Sequence, residues 1–140
     1  MIYLSDVNVW IAFVTARHVH HTAARHWFES LDSEQVTFCR ITELGLLRLL
    51  TNSHVMGVDV LEPVSAWRAY DTLRADPRVL FLAEQAGFSE YWRKAGESVI
   101  GGPNVWTDAY PGALAAHADL TVVTFDRGFR AAGNCRVHKL

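Results

Sequence analysis

Five short runs of apolar and β-branched residues punctuate the chain: Ile2–Leu4, Val36–Cys39, Val79–Leu82, Thr121–Thr124 and a weaker one at Arg136–His138. They are nearly continuous rather than alternating, the pattern of strands covered on both faces, as in a parallel sheet. Between them, apolar positions recur at helical spacing. Ala24, Trp27, Phe28 and Leu31 fall at i, i+3, i+4 and i+7, and Ala66, Ala69, Tyr70 and Leu73 repeat the spacing, with Ser65 placed to cap the second stretch. Further helices are expected over Asn8–Val14, Thr42–Leu50, Ser89–Ala95 and Thr107–His117, and Gly101, Gly102 and Pro103 force a loop within Ser98–Asn104. The order β-αα-β-αα-β-αα-β-β predicts an α/β fold, a three-layer α/β/α sandwich around a mostly parallel sheet. No internal repeat or linker divides it, so residues 1–140 read as one domain.

Such sheets bind ligands outside the carboxyl ends of their strands, and acids gather there. Asp6 follows the first strand and Asp126 follows the late strand Thr121–Thr124. Each has an ordinary explanation: Asp6 as a helix cap, Asp126 as a turn residue before Arg127-Gly128. Glu43 opens the helix Thr42–Leu50 and heads the apolar stripe Leu46, Leu47, Leu50. The helix dipole favours an acid there but does not explain an inward one. Asp108 leads a stripe of Pro111, Gly112 and Ala115, small residues that let a helix lie close to the sheet. Proline is tolerated in a first turn, which places that helix start near Thr107.

Two carboxylates ~4 Å apart repel by about 4 kcal/mol at an effective dielectric of 20. Four at one sheet edge therefore require protonation or a cation. An all-oxygen donor set favours Mg²⁺ or Mn²⁺ over zinc, and phosphoryl transfer is the natural chemistry of such an ion.

The segments Leu-Ser-Asp-Val-Asn-Val-Trp-Ile-Ala, Ile-Thr-Glu-Leu-Gly-Leu-Leu-Arg-Leu-Leu-Thr-Asn, Trp-Thr-Asp-Ala-Tyr and Val-Thr-Phe-Asp-Arg-Gly-Phe resemble, in order and spacing, the PIN-domain ribonucleases, and more narrowly the VapC-type toxins of type II toxin–antitoxin pairs. The resemblance runs from Met1 to about Gly133. It implies a Mg²⁺- or Mn²⁺-dependent endoribonuclease with Asp6, Glu43, Asp108 and Asp126 as metal-binding acids. It also places Asn8 and Thr124 as polar supports of the site, and it implies a homodimer and a small antitoxin lying across the active-site groove. Pro111 departs from the pattern, standing where related toxins more often carry an aliphatic residue.

Thirteen Lys+Arg against fifteen Asp+Glu give a net charge of −2, so bulk positive charge does not drive binding to nucleic acid. Its distribution is more informative. Residues 17–26 hold Arg17, His20, Arg25 and three more histidines (His18, His21, His26) without an acid, and the last fourteen residues carry Arg127, Arg130, Arg136 and Lys139 and again no acid. Arg127, Arg17, His20 and Arg25 are the candidate RNA contacts, with a solvated face as the plainer reading. Cys39 and Cys135 form no disulfide framework or zinc site, and the histidines have no ligand spacing. No signal peptide or membrane span is evident, so a cytoplasmic protein is expected.

Three other functions remain to be separated from the nuclease. A phospho-receiver domain would need an acidic pair after the first strand, where Val7 follows Asp6, and a dehydrogenase would need a glycine-rich turn there. A non-catalytic binding protein on the same fold draws its only support from Pro111.

Overall fold

The computed structural model describes residues 1–130 and 132–140. Among these, strands β1 (Ile2–Ser5), β2 (Gln35–Phe38), β3 (Val79–Phe81), β4 (Thr121–Thr124) and β5 (Arg136–Lys139) form one sheet in the order β3-β2-β1-β4-β5. Every pairing is parallel, with Leu4 opposite Thr37 on one side and Val122 on the other. The chain winds outward from β1 to β3, then crosses back to β4. The order therefore reverses between β1 and β4, where an open α/β sheet leaves a crevice at its carboxyl edge.

Among the described residues the helices are α1 (Val7–Val14), α2 (His21–Glu29), α3 (Arg40–Leu50), α4 (Ser53–Met56), α5 (Pro63–Arg74), α6 (Phe88–Gly96) and α7 (Trp106–His117). Side chains alternate across a strand, so neighbouring residues enter opposite layers. One layer joins Trp10, Phe28, Val36, Phe38, Leu46 and Tyr70, with α1, α2, α3 and α5 packed on it. Trp10 stacks on Phe38 with centroids 4.1 Å apart. The other layer joins Leu4, Phe88, Leu114 and Val122 to Ala109, Ala113 and Ala115 of α7. The small residues Pro111, Gly112 and Ala115 are buried, as the stripe requires for close approach to the sheet.

Three expectations need correction. The helix carrying Glu43 begins at Arg40, not Thr42; Cys39 caps it, and the Thr42 hydroxyl accepts the Cys39 N–H at 3.0 Å. The helix over 66–73 begins at Pro63 with Glu62 as its cap, and Ser65 lies inside it, because proline fits a first helical position that needs no N–H donor. Most consequentially, Pro111 is not in a first turn. Helix α7 starts at Trp106, straight from a 3₁₀ turn at Pro103–Val105, so the proline stands inside the helix, which nevertheless continues to His117. The missing N–H leaves the Thr107 carbonyl without its helical donor, at a residue that is exposed. The short α4 and the 3₁₀ turn Gly57–Asp59 were not anticipated. Among the described residues, no helix is long and apolar enough to cross a membrane.

Candidate active site

Asp6 caps α1 with one carboxylate oxygen and reaches β4 with the other. Its Oδ1 accepts the Val7 N–H at 2.7 Å, capping α1, while its backbone N–H donates to the Val123 carbonyl at 2.9 Å and ties the end of β1 to β4. Its Oδ2 accepts the Thr124 hydroxyl at 2.7 Å. Thr124 is fully buried, and its oxygen also accepts the Asn8 amide at 3.1 Å and the Asp126 backbone N–H at 3.0 Å. Asn8 Oδ1 in turn accepts the Phe125 N–H at 3.2 Å. One hydroxyl and one amide thus fix how β1 and β4 end beside each other and where both aspartates leave the sheet.

Asp126 Oδ1 accepts the Gly128 N–H at 2.8 Å in a tight turn, and a Cβ at Gly128 would stand 3.3 Å from that oxygen. Phe129 anchors this turn in the core, and the next N–H, from Arg130, points to Asp108 Oδ2 at 3.5 Å. The segment after β4 thereby touches two acids that are far apart in sequence.

The electrostatics show that the three aspartates share one region. Burial raises the Asp6 carboxyl above the ordinary aspartate range, against the hydrogen bonds from Thr124 and Val7, and the Asp126 charge adds to the rise. Asp108 is raised by burial as well, then by the charges of Asp6 and Asp126, with the Arg130 N–H opposing. No cationic side chain is among the causes that oppose either rise.

Glu43 is placed differently. It is buried, but its Oε1 lies 2.6 Å from Arg40 Nη1, and its carboxylate meets the Tyr70 hydroxyl. Burial first, then Glu43, push the Tyr70 phenol upward. The structure brings Asp6, Asp108 and Asp126 into mutual influence, and Glu43 faces Arg40 instead. The available sequence signal was the i, i+3 spacing of Arg40 and Glu43, which counts only once the helix is known to start at Arg40.

The basic candidates also separate. Arg17 pairs with Asp59 at 3.6 Å, and Arg25 pairs with Glu29 at 3.5 Å while covering the Phe13 ring. Arg127 is exposed beside Asp126, its carbonyl accepting the Lys139 ammonium. His20 lies against Phe125, the residue before Asp126. A cavity of about 300 Å³ opens next to Asp6, walled by Val7, Ile41, Leu44, Arg48 and Pro111.

The donor set suits a hard divalent cation. It is all oxygen, two of its acids are strained toward protonation, and Mg²⁺ needs only one or two carboxylates because it keeps several waters. Among the described residues, no three His, Cys, Asp or Glu side chains stand close enough to enclose an ion as placed.

Residues 3–134 match the PIN domain family model. The chain is 37% identical over 142 aligned positions to ribonuclease VapC41 of Mycobacterium tuberculosis, covering 98% of this chain and 97% of the relative. It is 35% identical over 130 positions to ribonuclease VapC29 of the same organism, covering 91% and 88%. In fold it is similar to VapC20 of M. tuberculosis, a sarcin–ricin-loop-cleaving toxin (TM-score 0.67, 18% identity, 92% of each chain). It is similar also to a chain of VapBC2 from Rickettsia felis, solved with a fragment of promoter DNA (TM-score 0.67, 13% identity, 99% and 98%). With its parallel sheet, its acids at the β1–β4 crevice and these matches along nearly its whole length, the chain belongs to the PIN domain family, among the VapC ribonucleases.

Proposed function

We propose that this protein is a Mg²⁺- or Mn²⁺-dependent endoribonuclease, the toxin of a toxin–antitoxin pair, which hydrolyses RNA phosphodiester bonds. The observation that supports the reading is that Asp6 and Asp126 leave the adjacent carboxyl ends of β1 and β4, tied together through Thr124, while the segment after Asp126 reaches Asp108 through the Arg130 N–H. Structure alone gains nothing from raising the Asp6 carboxyl by the Asp126 charge and the Asp108 carboxyl by both, whereas a cation turns the repulsion into binding.

Asp6, Asp108 and Asp126 would hold the ion, and Glu43 is the fourth acid of the proposal, reaching it only when Arg40 releases it. When bound, the metal supplies Lewis-acid polarisation of a phosphate oxygen and an acidified water. The chain contributes the rest. Thr124 and Asn8 keep Asp6 and the Asp126 backbone in register, as outer hydrogen bonds do around metal ligands. Arg127 and Arg130, outside the acids, offset their repulsion of the RNA backbone and place a phosphate beside them. In-line attack of water on that phosphate, leaving a 5′-phosphate and a 3′-hydroxyl, is the proposed outcome. The partners of the reading are RNA, a small antitoxin and a second copy of this chain.

The test is cleavage of total RNA by purified protein freed of any antitoxin. Cutting with Mg²⁺ or Mn²⁺ that stops in EDTA supports the proposal. Failure to cut any RNA with either ion, by folded protein, overturns it.

A further inference from the structure

We infer that His20, stacked on Phe125, forms a shelf on which an unpaired RNA base lies, beside the carboxylate site. The inference rests on the ribonuclease reading and adds a substrate contact to it.

The two rings are nearly parallel, with centroids 4.4 Å apart and 10° between planes. Phe125 is the residue between Thr124 and Asp126, and the Asn8 side chain holds its backbone N–H, so its position is set by the network that sets the aspartates. His20 comes from the far end of the α1–α2 connection, and that connection is tied down. The His20 N–H donates to His18 Nδ1 at 3.0 Å, and His21 Nδ1 lies 2.8 Å from the Ala12 carbonyl. His20 is nonetheless exposed and Phe125 half-buried. An aromatic pair held this firmly at the surface, one residue from an acid of the site, buries little apolar area for the fold. It does offer a flat, pre-ordered surface to a base.

Single-stranded RNA is gripped largely by stacking of its bases on aromatic rings, histidine included. The two arginines of the segment face other acids, Arg17 near Asp59 and Arg25 near Glu29, whereas His20 lies on Phe125 beside the site. A stacking contact requires a splayed base, so the shelf favours loops and single strands over duplex.

The experiment uses the whole protein in EDTA, where binding is read without cleavage. The probe is an end-labelled unstructured oligoribonucleotide of about 12 nucleotides, followed by a series with one abasic residue at each position. The parent should lose about tenfold in affinity at one abasic position. His20→Ala should bind the intact RNA about tenfold more weakly and no longer register that abasic residue, while His20→Phe should restore both. An unchanged melting temperature would confirm that the exposed substitution leaves the fold alone. Intact binding by His20→Ala, or an abasic penalty that survives the substitution, overturns the shelf. So does a parent that ignores every abasic position, and if that protein still cuts RNA with Mg²⁺, only the shelf falls. If it neither binds nor cuts RNA, the ribonuclease reading falls with it.

Discussion

Glu43 and Asp108 both stand in the first turn of a helix and both lead into buried residues, on α3 and α7. Their carboxylates end in opposite circumstances. Glu43 is more deeply buried, yet Arg40 lies 2.6 Å away and stacks in turn over the Phe81 ring. Asp108 is only half-buried, yet it has no cation, one long N–H contact from Arg130, and the charges of Asp6 and Asp126 against it. Burial alone does not mark a functional acid. An acid answered by a neighbouring arginine is already accounted for, whereas one surrounded by its own kind is left available to an ion.

The contrast breaks most sharply on cleavage rates. Asp108→Asn, like Asp6→Asn and Asp126→Asn, should lower metal-dependent RNA cleavage by at least about 100-fold with the far-ultraviolet dichroism intact. A parent-like rate in Asp108→Asn would make that acid structural. Next in size is Thr124→Val, which removes a hydroxyl used by Asp6, Asn8 and Asp126 together. It should cost about 10- to 100-fold in rate, and about 1–3 kcal/mol in urea unfolding because three part-buried hydrogen bonds lose their common partner.

Glu43→Gln sharpens the other side. With Arg40 largely exposed, its ion pair is worth about 1 kcal/mol after screening, so stability should fall by about that much and cleavage by less than about tenfold. A drop as deep as that of Asp108→Asn would show that Glu43 leaves Arg40 and joins the other three acids.

The smallest effect concerns pH. Folding raises the Asp108 carboxyl, so the native state holds its proton longer than the unfolded chain does. Its contribution therefore falls as pH rises through the carboxylate range, being most favourable below the unfolded value. In EDTA at pH 7, Asp108→Asn should melt about 2–5 °C above the parent, and the gap should close as pH drops below about 4. Asp76 acts the other way: Arg78 lowers its carboxyl, so its stabilisation is present at neutral pH and lost on acidification. A scan in which Asp108→Asn is less stable at every pH would remove the electrostatic strain from the picture.

Much of the site was legible because its parts are local. An acid directly after an apolar strand, as at Asp6 and Asp126, needs only the strand to be recognised, and a parallel sheet then sends both to one edge. Asn8 and Thr124 were readable by resemblance, and the structure joins them at 3.1 Å. The helix starts were less legible, because capping depends on backbone geometry that several candidate residues satisfy; Arg40, Pro63 and Trp106 each begin a helix earlier than the apolar spacing indicates. The fate of Glu43 was hidden for that reason. The stack of His20 on Phe125 was hidden for another, since 105 positions separate the two and no periodicity links them.

The layers, the parallel sheet and the emergence of Asp6 and Asp126 at strand ends are written in the sequence, because hydrophobic spacing dictates which face each element buries, and a strand's end dictates which residue emerges there. Which acids oppose one another, and which is answered by an arginine, follows from packing instead. Charge interactions depend on distances of a few ångströms between side chains from different elements, and those distances are set by how β4 and α7 settle against β1.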